Sequence, residues 1–125
     1  VITLKELNRF NLPTTPEIDK NLAILLERLN LIRAAYGKPL FITSGLRSQA
    51  QQSALIRSGK STAPHSNHLV GAAVDIGDQS GDFYDWCQAN ESILEEAQLW
   101  CENRQGPWQH LQIFPPKSGK RWFNP

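Results

Sequence analysis

His68, Asp75 and His110 carry the side chains best suited to chemistry in this chain. They fall in two short segments, SNHLVGAAVD at 66–75 and GPWQHLQI at 106–113. Two neutral imidazoles and one carboxylate form a donor set that suits zinc. Three protein ligands leave a fourth position open for water or substrate, which marks a catalytic rather than a structural zinc. No cysteine cluster competes, and the chain has only 3 histidines. Taken singly, each histidine reads more readily as a satisfied structural residue, and Asp75 as a turn or cap carboxylate. The joint pattern is what favours a metal.

The spacing constrains the elements that must hold these residues. His68 and Asp75 are separated by an odd number of positions, so in one regular strand they would face opposite ways. They converge only if His68 lies in the loop before the strand or the chain bends between them. Gly71 is placed to allow that bend. Asp75 then sits in an apolar run with Ala73, Val74 and Ile76, where a carboxylate is costly unless paired or metal-bound. Around His110, a period of two puts Trp108, His110 and Gln112 on one face and Gln109, Leu111 and Ile113 on the other. Trp108 can wall a substrate, and the Gln112 amide can supply a supporting hydrogen bond.

The chain's 125 residues and 14.1 kDa fit one domain, 1–125, large enough to bury a core without disulfides. Apolar residues at 40%, charged residues at 20% and a mean hydropathy of −0.41 are ordinary for a water-soluble fold. With 13 basic against 12 acidic residues, the net charge of +1 gives no electrostatic case for nucleic acid or an anionic membrane. No apolar run suggests membrane insertion. No signal peptide is read, and a monomer is expected. Cys87 and Cys101 lack a CxxC spacing and read as small buried thiols in helices.

Residues 1–13 read as an extended lead-in with one short strand or turn. Thr14 and Glu17 suggest a capping box for a helix over 15–36, with Ile18, Leu22, Leu25, Leu29 and Ile32 on its apolar face. Gly37 ends it and Pro39 forbids its return. Residues 39–45 read as a buried strand. Ser48 caps a helix over 49–57, and a loop spans 60–67. A strand follows at 70–76, then helices at 82–89 and 91–102, a strand at 108–114 and an irregular tail. The class is α+β, a small antiparallel sheet with flanking helices.

The segment SNHLVGAAVDI resembles the SxHxxGxAxD motif of the M15 zinc peptidases, the family of D-Ala-D-Ala carboxypeptidases and phage endolysins. SGLRS at 44–48 is similar to the family's strand-end segment with a substrate-facing arginine, and WQHLQ at 108–112 to its second histidine segment. PPKSGKRWFNP resembles the tail of a phage-encoded subgroup. The resemblance implies a zinc site of the kind shared with hedgehog domains, with His68, Asp75 and His110 as ligands. It implies that Arg47 binds a carboxylate or carbonyl of the peptide, as suits its planar fork of donors. Ser66, Trp108 and Gln112 would join Arg47 in contacting substrate. Many members carry an acid three residues before the second histidine. That position is Pro107 here, so the resemblance points to Glu102, with Asp78 and His65 as the next candidates for the general base.

The implied activity is zinc-dependent hydrolysis of peptidoglycan stem or bridge peptides, in phage lysis or wall penetration. The enzyme would act on the bacterial wall after release from the host cytoplasm or delivery by a phage particle. Three alternatives stand beside it: a D-Ala-D-Ala carboxypeptidase, a non-hydrolytic zinc module binding wall peptide or a protein partner, and a plain structural domain with a buried zinc.

Overall fold

A computed structural model describes residues 1–61 and 65–125. The loop expected over 60–67 includes 62–64, which lie outside the described residues. The chain runs through α1 (Leu4–Leu7), α2 (Pro16–Tyr36), β1 (Ile42–Ser44), α3 (Gln49–Arg57), a 3-10 turn (Asn67–Val70) and β2 (Ala73–Gly77). It continues through α4 (Asp82–Ala89), α5 (Glu91–Ala97), β3 (Trp100–Glu102), β4 (Trp108–Gln112) and β5 (Trp122–Phe123). The class is α+β, as expected. The sheet has five strands in the order β1-β2-β4-β3-β5. All neighbours are antiparallel except β3 and β5, which are parallel.

Helix α2 forms where the apolar periodicity is strongest. Its cap is Thr15, one residue later than expected; the Thr15 hydroxyl accepts the Ile18 N–H at 3.2 Å, and Pro16 opens the first turn. Gly37 closes it in the left-handed conformation with φ +75°. Leu22, Leu25, Leu29 and Ile32 are buried, and they meet Val74, Ile76, Leu94, Leu99, Cys101 and Leu111 in one core. Burying each such leucine contributes roughly 1.5–3 kcal/mol. The stripe therefore fixes α2 on one face of the sheet.

Three elements depart from the expectation. Residues 4–7 form a helical turn within the lead-in expected to be extended, held by hydrogen bonds between Thr3 and Glu6. The helix expected over 91–102 stops at Ala97, where Gln98 takes a left-handed conformation with φ +56°. Residues 100–102 then pair with β4 as a strand, so Cys101 is buried in the sheet while Cys87 is helical. The apolar residues Leu99 and Cys101 satisfy a strand as readily as a helix, and pairing with β4 decides between them. Finally, the tail is not irregular throughout, since Trp122 and Phe123 add a fifth strand beside β3.

Candidate active site

The core face of the sheet carries Val74, Ile76, Leu111 and Cys101. The opposite face carries the chemistry. Register pairs Ser44 with Asp75 and Asp75 with His110. Trp100 pairs with Gln112 and Cys101 with Leu111, so continuing that register sets Glu102 opposite His110, and Glu102 pairs in turn with Phe123. Ser44, Asp75, His110, Glu102 and Phe123 thus form a row across the sheet. His68 arrives from outside it, on the 3-10 turn. The Ser66 hydroxyl starts that turn by accepting the His68 N–H at 3.2 Å. Gly71 ends it with φ +73°, where a Cβ would come 2.9 Å from the Leu22 Cγ. The bend that the odd spacing demands is therefore made at Gly71, pressed against α2.

His68, Asp75 and His110 each offer one ligand atom, and these atoms lie within 4.8 Å of one another. His68 Nε2 is 3.3 Å from Asp75 Oδ1, and His110 Nδ1 is 3.0 Å from the same oxygen. A tetrahedral zinc with bonds of about 2.0–2.1 Å needs ligand separations near 3.3–3.4 Å.

The outer partners fix which nitrogen carries each proton. His68 Nδ1 is 2.8 Å from the Gly45 carbonyl, which only accepts, so Nδ1 must donate. The Gln112 amide nitrogen donates to the Phe114 carbonyl at 2.8 Å, so its oxygen faces His110 Nε2 at 2.8 Å and that nitrogen must donate as well. In the neutral rings, His68 Nε2, His110 Nδ1 and Asp75 Oδ1 are then all acceptors aimed at one point. Converging lone pairs repel, and a cation relieves them. The residues present fit a metal, and each histidine has the supporting acceptor that metal-binding imidazoles use.

For His68 and Asp75 the protonation states suit a metal, whereas in the metal-free protein His110 is shifted toward its protonated form. Burial pushes the His68 pKa down against the pull of Asp75, which keeps the ring neutral. Burial would raise Asp75, but the two histidines outweigh it and hold its carboxyl well below the usual range. For His110, burial acts downward, yet its hydrogen bond to Asp75 and the Asp75 charge outweigh that and raise its pKa.

Arg47 stands just after β1. Its Nε donates to the Ser44 hydroxyl at 2.9 Å, one terminal nitrogen to Gln52 at 3.0 Å and the other to Asp75 Oδ2 at 3.0 Å. Its backbone N–H reaches the His68 carbonyl at 3.0 Å. The guanidinium thereby pins the oxygen of Asp75 that does not face the histidines. Three of its five N–H groups are used, leaving two for a substrate oxygen. Ser44, Gln52 and the Gly45 carbonyl were not legible as site residues. Gln52 is fully buried, which a polar residue in a short helix does not announce.

Glu102 is half-buried. Burial raises its pKa, His110 lowers it, Asp75 raises it and Arg47 lowers it, with a net upward shift. Its coupling to all three places it in the field of the site. Asp78 is spoken for elsewhere: it accepts the Phe83 and Tyr84 N–H groups at 3.1 and 2.9 Å and pairs with Arg104 at 2.9 Å. His65 is exposed. Trp108 is half-buried and its indole lies over Gly106, where a Cβ would collide with the ring. Both ends of the buried Gln112 amide are committed within the protein, which makes it a support for His110 rather than a substrate contact. Likewise Ser66 shapes the turn that carries His68. Phe123, 6.2 Å from the His110 ring between centroids, joins the site from the tail.

A metal-ready His-Asp-His set, flanked by an arginine and a half-buried acid, is the equipment of a hydrolase. The pattern of the Peptidase M15 family matches residues 2–110, and the chain belongs to that family of peptidases. Among solved structures it is similar to the Serratia marcescens L-Ala D-Glu endopeptidase ChiX, at 26% identity and a TM-score of 0.55, over 80% of this chain and 88% of that one. No curated protein matches the chain.

Proposed function

We propose that this chain is a zinc-dependent endopeptidase of peptidoglycan stem peptides, cutting the L-Ala–D-Glu bond. The observation that carries the reading is the convergence of three lone pairs, from His68 Nε2, Asp75 Oδ1 and His110 Nδ1, on one point. Membership of the M15 family and the likeness to ChiX support the substrate class. A bound zinc supplies Lewis acidity and a nucleophile at neutral pH.

The chain's own residues do the rest. Arg47 directs its two remaining N–H groups at the peptide and holds it in place, which makes attack nearly unimolecular. Glu102, across the strand pair from His110, takes a proton from the attacking water and returns it to the leaving amine. Phe123 and Trp108 flank this face and limit access of bulk water. A half-buried acid beside the ligand set, Glu102, supports hydrolysis over a non-hydrolytic binding module. Phage lysis or wall penetration is the setting suggested by the tail, whose Phe123 reaches the site.

The test is hydrolysis of purified muropeptides by the zinc-loaded protein and its Glu102→Gln variant. Retained zinc with turnover reduced about 10²–10⁴-fold supports the assignment. Normal turnover by the variant overturns Glu102 as the base, and release of terminal D-Ala instead of cleavage after L-Ala makes the enzyme a carboxypeptidase.

A further inference from the structure

A cleft of about 460 Å³ opens beside the ligand set, between α1, β1 and α3. Strand β1 is the edge of the sheet and pairs only with β2 among the described residues. Gly45 is required where α1 abuts the end of β1, because a Cβ there would run into the Leu7 carbonyl. The cleft's apolar surface comes from Ile42, Leu46, Ala54 and Leu55. Arg47 belongs both to this cleft and to the ligand set, through its bond to Asp75. The two spaces are therefore joined at one side chain.

The cleft carries an excess of positive charge. Arg9 and Lys60 line it along with Arg47, and both are exposed. No carboxylate lies within salt-bridge distance of Arg9 or Lys60 among the described residues. The one acid in the lining, Glu6, has a carboxylate oxygen occupied by the Thr3 N–H and hydroxyl, both at 3.1 Å. The Arg9 guanidinium sits 4.8 Å over the Phe10 ring, which orients the charge without neutralising it. Two cations, Arg9 and Lys60, left unpaired among the described residues at the rim of an apolar surface, suit an extended ligand that is itself apolar along its stem and anionic at intervals.

We propose that this cleft is a substrate subsite for a carboxylate-bearing arm of the cleaved peptide, with Arg9 and Lys60 pairing with its free carboxylates. The assignment rests on the peptidase reading and narrows it: the enzyme selects stem peptides whose acidic residues are left as free acids over those in which they are amidated. Amidation preserves size and removes the charge, so it isolates the term that the cleft recognises.

Two matched muropeptides, one with free acids and one amidated, test this with the zinc-loaded protein and an Arg9→Gln/Lys60→Gln double variant. Binding is measured by calorimetry at about 0.15 M salt, where exposed charges are still felt within a Debye length, and cleavage is measured separately by mass spectrometry. Wild type should favour the free-acid peptide by about two- to tenfold, the scale of two exposed ion pairs. In the double variant that preference should collapse through KM, with kcat and zinc content held. Cleavage by both proteins with the same preference overturns the subsite and leaves the peptidase reading standing. Charge-selective binding without cleavage keeps the subsite and overturns the peptidase reading. Absence of both binding and cleavage overturns both.

Discussion

Replacing Gln112 with leucine should weaken zinc binding without touching a ligand. Gln112 is buried, its amide oxygen 2.8 Å from His110 Nε2 and its amide nitrogen 2.8 Å from the Phe114 carbonyl. Leucine has similar volume but no acceptor. The His110 Nε2–H would then be buried without a partner, at a cost of roughly 1–3 kcal/mol. The ring escapes that cost by moving its proton to Nδ1, where Asp75 Oδ1 waits at 3.0 Å. That tautomer makes a good hydrogen bond in the metal-free protein but removes the lone pair that a metal needs. Loss of such a supporting partner typically weakens metal binding about 10–100-fold, or about 1.4–2.7 kcal/mol. Competition against a chromophoric chelator measures the affinity, and nitrogen NMR of the metal-free His110 ring reads the tautomer directly. Gln112→Glu keeps the acceptor and should hold zinc far more tightly than Gln112→Leu. A folded Gln112→Leu variant with wild-type zinc affinity and an unchanged tautomer would refute the reasoning.

Other outcomes follow from the same geometry. Asp78→Asn should lower stability by about 1–2 kcal/mol through the weakened Arg104 pair and helix cap, while zinc and turnover persist; thermal unfolding and muropeptide assays check both. Gly71→Ala should cost at least about 1–2 kcal/mol from its left-handed backbone alone, and the clash with Leu22 should loosen His68, so zinc affinity falls together with melting temperature. Leu29→Ala, at the centre of the α2 stripe, should cost about 3–5 kcal/mol in denaturant unfolding and leave the site chemistry intact in the folded fraction. Burial pushes the Cys101 thiol up to about 12 and raises Cys87 as well. Only the thiolate reacts, and at pH 8 a thiol titrating at about 12 is about 10⁻⁴ ionised, so alkylation should be slow in the native protein and fast in denaturant.

The His68, Asp75 and His110 cluster was legible because its chemistry constrains its spacing. An aspartate in an apolar strand needs a partner, and the odd interval from His68 to Asp75 requires His68 to lie before the strand or the chain to bend, which Gly71 allows. The α2 stripe was legible because buried leucines recur with the helical period. Strand β3 was not, because residues 98–102 carry apolar groups compatible with either period and only the partner β4 selects the strand. That error also hid the means by which Glu102 faces the site, which is a cross-strand position rather than a helix end. The holders of Arg47 were illegible for another reason. Ser44 and Gln52 act through contacts made only when β1, α3 and the Arg47 side chain come together, and no local periodicity encodes such a contact.

The central claim is that one zinc, held by His68, Asp75 and His110, makes this chain a peptidase. Its most direct test is a zinc titration of the chelator-treated protein, with muropeptide cleavage read by mass spectrometry at each step. The account predicts no cleavage without metal, recovery that rises in proportion to zinc and stops at one per chain, and no recovery in His110→Ala. Full cleavage by the metal-free protein, or recovery that is unaffected by loss of His110, would contradict it.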